Sequence, residues 1–231
     1  MNHINKKNQL EKESSLKKVL KLIASGVMVQ NPELLHIHGS VSCGKNVKFD
    51  LNVIIEGDVR IEDDVTIGAN SILRDCIIGK ETLIKPFSIV EKAVIGENCF
   101  VGPYGRIRPG VSVGDNVQIG NFVEIKNSNI ASNCRINHHA FIGDSDLGEQ
   151  VTIGAGTITC NHDGVKINRT VIANRVYIGS GCNLVAPLKI NAGATIASGS
   201  TITEEVPANT LTIARSRQVV INNWKGPKSS K

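Results

Sequence analysis

Aliphatic side chains recur along this chain with a period of six. One column runs Ile55, Ile61, Ile67, Leu73 and, after a step of five, Ile78, Ile84 and Val90. Further steps of five open the runs Ile95 to Ile125, Ile130 to Ile142 and Leu147 to Ile153. After a gap the column resumes at Ile172 and continues through Ile178, Leu184, Ile190, Ile196 and Ile202, while Cys43 and Phe49 extend it backwards. A second column lies two residues earlier, at Val53, Val59, Val65, Val111, Val117, Val151 and Val176. Positions two apart on a strand share a face, so each unit reads as a short strand with two inward side chains, followed by a corner. Gly, Asn and Asp populate the corners, as bends with positive φ require. A step of five is a corner shortened by one residue. This period predicts an all-β solenoid, a parallel β-helix of roughly nine coils between Cys43 and Val206.

The column breaks once, between Ile158 and Val171, where Thr-Cys-Asn-His-Asp-Gly-Val-Lys-Ile-Asn-Arg-Thr makes a polar excursion. Loops that interrupt a rigid scaffold are where function concentrates. Upstream, Leu10, Leu16, Val19, Leu20 and Ile23 have helical spacing and predict a helix over Gln9 to Ala24. Gly26 follows as its C-cap. An open coil end exposes unpaired strand edges, so the helix is expected to lay its apolar stripe on the first coil. The expected division is a helix and linker over 1–42, the β-helix over 43–206 and an irregular tail over 207–231. The tail holds the single Trp, Trp224, placed to cap the last coil or to dock on a neighbouring subunit.

Composition sharpens this picture. Hydrophobic residues are 41% of the 231, aromatics only 3%, and 22 residues are Gly, so Ile, Val and Ala must fill the core. No run of about 18 apolar residues exists to cross a membrane. Met1 to Lys18 lacks the apolar segment of a secretory signal, and a cytoplasmic location is expected. The net charge of +5 gathers at the ends, at Lys6, Lys7, Lys17, Lys18 and Lys21, and at Lys225, Lys228 and Lys231. Nucleic-acid binding would want a basic stripe with aromatic platforms, and eight aromatics supply few. The six cysteines are scattered without a CxxC pair, which suits small buried thiols better than a metal site.

Candidate chemistry centres on Asn137-His138-His139. Adjacent strand residues point to opposite faces, so one of the two histidines should face outward. An outward His, with an ordinary pKa of about 6.5, can act as a general base near neutral pH. Arg108 and Lys126 lie eighteen residues apart, one whole coil, and should stack as a cationic pair able to hold a phosphate or carboxylate.

The same stretch resembles the C-terminal acetyltransferase domain of the bacterial bifunctional N-acetylglucosamine-1-phosphate uridyltransferase/glucosamine-1-phosphate N-acetyltransferases. The matching runs include Gly102-Pro103, Ile107-Arg108-Pro109-Gly110, Gly120-Asn121-Phe122-Val123-Glu124, Gly143-Asp144 and Leu184-Val185-Ala186-Pro187. Ile153-Gly154-Ala155-Gly156-Thr157-Ile158-Thr159-Cys160-Asn161 is the most specific. The resemblance covers roughly Gly26 to Arg215. It implies a left-handed β-helix that assembles as a homotrimer and transfers acetyl from acetyl-CoA, as cosubstrate, to an amino sugar phosphate, with no metal required. It implies His138 as base, Arg108 and Lys126 as phosphate ligands, and Asn161 on the sugar. Ala155, Ser180 and Arg215 match positions lining the acetyl-CoA groove, where Asn161, His162 and Ser198 are also placed.

The chain departs from the family pattern mainly on the acceptor side. Phe141 stands where the family has Tyr, Thr152 where it has Asn, and His162 where an aromatic is expected. The loop Lys aligns with Ile167, with Lys166 beside it as a substitute, and Ser198 replaces an Ala. An acyltransferase for a different, nucleotide-linked amino sugar is therefore an alternative, as is a β-helix scaffold whose site has weakened. A metalloenzyme of the γ-carbonic-anhydrase kind would need three His across an interface, and the spacing of His138, His139 and His162 does not resemble it. Residues 1 to 50 hold no Gly-rich nucleotide loop, and no uridyltransferase activity is expected.

Overall fold

The computed structural model describes residues 3–226, with side chains from Gln9 onward. Lys228 and Lys231, and the side chains of Lys6 and Lys7, fall outside the described residues. The chain forms a left-handed parallel β-helix preceded by one helix, α1 (His3–Ala24). One face is an eleven-stranded parallel ladder, from Met28–Val29 to Leu211–Thr212. A seventeen-stranded sheet wraps the other two faces. Strand pairing thus begins before Cys43: Leu35–Cys43 is already paired along its whole length with Val53–Ile61.

Register follows the period of the sequence. Ile67, Ile84, Val101, Ile119, Ile136, Ile153, Ile178 and Ile196 occupy one position on successive coils and are fully buried. The second column, at Val53, Val59, Val65, Val117 and Val151, is equally buried. Cys76, Cys99, Cys134 and Cys182 are buried free thiols, and burial pushes Cys43 and Cys76 up to about 12. They act as small packing groups, as expected.

The helix departs from expectation in two ways. It begins at His3 rather than Gln9. Its apolar stripe is only partly covered: Val19 is buried, but Leu10, Leu16, Leu20 and Ile23 remain exposed. A strand edge needs hydrogen bonds more than apolar cover, and polar side chains supply them. The buried Ser15 Oγ accepts from Ile37 N–H at 2.8 Å, and Lys18 Nζ donates to Gly39 O at 2.6 Å. Gly26 does cap the helix: at φ +95° it donates to Ile23 O, and Val27 donates to Leu22 O, both at 3.0 Å. That pairing is the Schellman arrangement. At the other end Trp224 is 70% exposed and does not cap the last coil. No described helix is long and apolar enough to cross a membrane.

Candidate functional site

The structure gathers the sequence-derived residues into two clusters on adjoining surfaces. The first lies along the corner that follows the eleven-stranded face. Gly156 N–H donates to His138 O at 3.0 Å, Gly181 N–H to Ala155 O and Gly199 N–H to Ser180 O, both at 2.8 Å. His138, Ala155, Ser180 and Ser198 therefore hold the same position on four successive coils. Arg215 closes this row, donating from Nη1 to Ser198 O at 2.7 Å.

Both His138 and His139 are exposed, not one of the two. The alternation of a strand does not apply, because they occupy the corner and His139 has left-handed φ (+60°). Their rings meet edge to face at 5.8 Å. Asn137 Nδ2 donates to Ile153 O at 2.9 Å and ties this corner to the next coil. A cavity of about 290 Å³ opens beside His138, with Lys85, Gln118 and Asn137 in its wall.

The second cluster lies on the next face. Arg106–Ile107 pairs in register with Glu124–Lys126, so Arg108 and Lys126 stack as the spacing predicts. Each has a carboxylate partner: Arg108 Nη1 lies 2.7 Å from Glu124 Oε1, and Lys126 Nζ lies 3.7 Å from Asp144 Oδ2. Exposed pairs of this kind are worth about 0–1 kcal/mol, so a bidentate phosphate can displace Glu124. Gly143 sits one coil beyond Lys126. A Cβ there would lie 2.7 Å from the Phe141 ring and 2.8 Å from Asn161 Nδ2, so only glycine lets both side chains approach.

Asp144 is the hub of this cluster. Buried at left-handed φ (+50°), it accepts from Asn127 Nδ2 at 2.6 Å and from Asn161 Nδ2 at 2.5 Å. Burial acts to raise its carboxyl, but the Asn127 and Asn161 hydrogen bonds, with Lys126 and Arg169, outweigh it and hold it below the usual range. Arg169 forks onto Asp146 through two contacts of 2.5 Å and donates to Asn127 O at 3.3 Å, tying the end of the excursion to the same face.

The excursion is a small hairpin. His162 bridges Ile167 in antiparallel fashion, and Asn168 N–H donates to Asn161 O at 2.7 Å. His162 Nδ1 accepts from Gly164 N–H, so this ring nitrogen serves the loop itself. Lys166 lies at the exposed tip. The Asp163 carboxylate accepts from Lys166 and Val165 N–H and from Asn168 Nδ2, which lowers its pKa to about 2. The hydrogen bonds favour the charged form, so the turn keeps its carboxylate anchor above the ordinary Asp value of about 3.9 and loses it as pH falls towards 2. Carboxyl NMR should place the Asp163 midpoint near 2; a midpoint near 3.9 would remove this account of the turn. Thr152 stands apart from both clusters, outward on the eleven-stranded face between Arg135 and Tyr177. Among the described residues, no three His, Cys, Asp or Glu side chains converge to hold a metal ion.

Sequence reasoning named Asn161 and Lys126, and Asp144 only within a matching run, but missed that Asp144 joins them, with Asn127 and Arg169 beside it. It also missed a stack at the His139 corner. Phe87, Tyr104 and Phe122 lie ring on ring at 4.9 Å, and His139 completes the stack at 5.1 Å. Their separations of 17, 18 and 17 residues equal the coil length, and that was the signal.

An open corner groove on a parallel solenoid of six-residue units defines the class: a hexapeptide-repeat β-helix. The family described as GMPPB C-terminal domain matches residues 37–109 and 98–179, more than half of the chain, and the chain belongs to that family. It is also similar to the bifunctional protein GlmU of Methylobacillus flagellatus, 45% identical over 211 residues that make up 91% of this chain and 46% of that protein. GlmU of Aromatoleum aromaticum is matched to the same extent. The chain thus spans about half the length of these curated relatives. Among solved structures, a serine-to-alanine mutant of AntD, an N-acyltransferase from Bacillus cereus, in complex with dTDP-4-amino-4,6-dideoxyglucose and coenzyme A, has a TM-score of 0.46 and 17% identity, over 65% of this chain and 86% of that one.

Proposed function

We propose that this chain is an acetyl-CoA-dependent N-acetyltransferase acting on an amino sugar phosphate, with glucosamine 1-phosphate as the acceptor, on the route to UDP-N-acetylglucosamine. One observation carries the reading. An exposed histidine heads an open row of small residues ending at Arg215, and a cationic pair lies on the adjoining face beside Asn161. In this reading acetyl-CoA lies along Ala155, Ser180 and Ser198 with Arg215 at the far end. The sugar phosphate engages Arg108 and Lys126, and Asn161 contacts the sugar. His138 takes a proton from the amine as nitrogen attacks the thioester carbonyl. The tetrahedral intermediate collapses to the amide, and coenzyme A leaves as the thiol.

The reading includes assembly as a homotrimer with each site shared between copies. Lys126 pairs with Gly143, five residues past His138 and beyond the corner, so base and cations sit on different faces of one chain and a second copy can complete the site. The exposed Val219, Val220, Ile221 and Trp224 of the tail also give a second copy apolar surface to cover.

One observation favours a second reading, transfer to a nucleotide-linked amino sugar. Phe141 presents an apolar ring, with no hydroxyl for the acceptor, beside Asn161. A thiol-release assay with acetyl-CoA separates the two. Turnover with glucosamine 1-phosphate supports the first reading. Turnover only with a UDP-linked amino sugar moves the acceptor to the second. No binding of acetyl-CoA and no turnover would leave a non-enzymatic scaffold.

A further inference from the structure

The third position of the His138 corner changes character abruptly along the solenoid. Phe87, Tyr104, Phe122 and His139 occupy it on four successive coils, all at left-handed φ between +56° and +61°. Bulky side chains adopt that conformation at a cost. Asn52 and Asn70 fill the preceding corners at similar φ with far less strain. On the three coils after His139 the position belongs to Gly156, Gly181 and Gly199. A Cβ at Gly156 or Gly199 would meet nothing nearer than 4.0 Å, and at Gly181 nothing within 4 Å. The space above these glycines is open. Coils lie about 4.8 Å apart, so a bare trough of about 14 Å runs from the His139 ring to Gly199, where Arg215 begins.

Left-handed φ recurs at the other corners too, at Glu81, Lys92, Gln150 and Arg175 among them, so what sets this corner apart is its stack of rings followed by bare glycines. The aromatic column fills the corner up to the His138 coil, and the trough starts there. His139 is at once the last ring of the stack and the end wall of the trough, and its ring meets His138 edge to face. We propose that His139, braced from below by Phe122, Tyr104 and Phe87, is the residue that limits the acyl group to a short chain. This rests on the reading that an acyl-CoA occupies the corner groove. With the pantetheine arm along the glycines, the thioester arrives at the His138 coil. Acyl carbons continuing along the trough run into the His139 ring.

The test is direct binding of acetyl-CoA and butyryl-CoA to the full chain by calorimetry, with thiol release measured in parallel. One methylene in excess costs about 10–200-fold in a fitted apolar site. The wild-type protein should bind butyryl-CoA at least about tenfold more weakly than acetyl-CoA. His139→Gly, easy at this φ, should cut that ratio at least about tenfold by opening the space above Phe122. His139→Ala serves if the glycine variant does not fold. His139→Phe, which restores a ring, should keep the wild-type ratio. Equal binding of both thioesters by the wild type, an unchanged ratio in both small-residue variants, or lost selectivity in His139→Phe would each overturn the proposal. Failure of every acyl-CoA to bind would overturn it together with the reaction. Selective binding without transfer to any amino sugar would sustain the wall and overturn only the reaction.

Discussion

Replacing His138 with alanine is expected to lower the rate of acetyl transfer by about 10²–10⁴-fold, the usual contribution of a positioned general base. Acetyl-CoA affinity should stay within a few-fold, because the groove is lined by Ala155, Ser180 and Ser198 beyond the histidine. The argument is one of position. His138 is exposed at the head of that row, and the neighbouring Asn137 is fixed by its hydrogen bond to Ile153 O. The loss should therefore fall on kcat and leave KM for acetyl-CoA nearly unchanged. Turnover of His138→Ala within about threefold of wild type would show that another group takes the amine proton.

The second large effect is expected at Asp144. Its buried carboxylate accepts from Asn127 and Asn161 and lies near Lys126. Asp144→Ala leaves all three without their acceptor and places a Cβ-bearing residue at left-handed φ with no local hydrogen bond to favour it. Lys126, Asn127 and Asn161 all keep access to water, so the cost is that of lost hydrogen bonds to a charged acceptor, about 1–3 kcal/mol. In a chain of this length 1 kcal/mol moves the melting midpoint by about 2–4 °C, so a fall of roughly 2–12 °C is expected. Asp144→Asn, which tolerates the same φ and keeps one acceptor, should recover part of it.

The pH dependence has a definite sign. The folded state holds the Asp144 carboxyl low, so its contribution is complete above the ordinary value of about 3.9 and is lost as pH falls through the lower folded value. The acid limb of the stability curve should be shallower in Asp144→Asn. A melting shift below about 1 °C in Asp144→Ala would show that Asn161 and Lys126 are held by other contacts.

The solenoid was legible because its core is a translation of one short rule. An aliphatic side chain every six residues can be buried repeatedly only if the chain coils at that period, so the inward columns and the parallel register follow together. Arg108 and Lys126 stack for the same reason, their separation being one coil. The apolar stripe of α1 was read less well. Helical spacing says which residues share a side, but the coil edge offered unpaired backbone groups, and Ser15 and Lys18 answered them in place of Leu16 and Leu20.

The two histidines show the boundary most clearly. Periodicity puts residues 137–140 at a corner without giving the corner its dihedrals, and strand alternation fails once φ turns positive. Residue order was enough to specify the six-residue architecture, the composition of the core, the C-cap at Gly26 and the stacking of the cations. It took the folded chain to show that Asp144 joins Lys126 to Asn161 across a polar excursion, and that His139 ends a column of rings above a row of glycines. Those relations depend on the neighbours that the coil brings from 17 to 25 residues away, and on side chains whose partners no local pattern specifies.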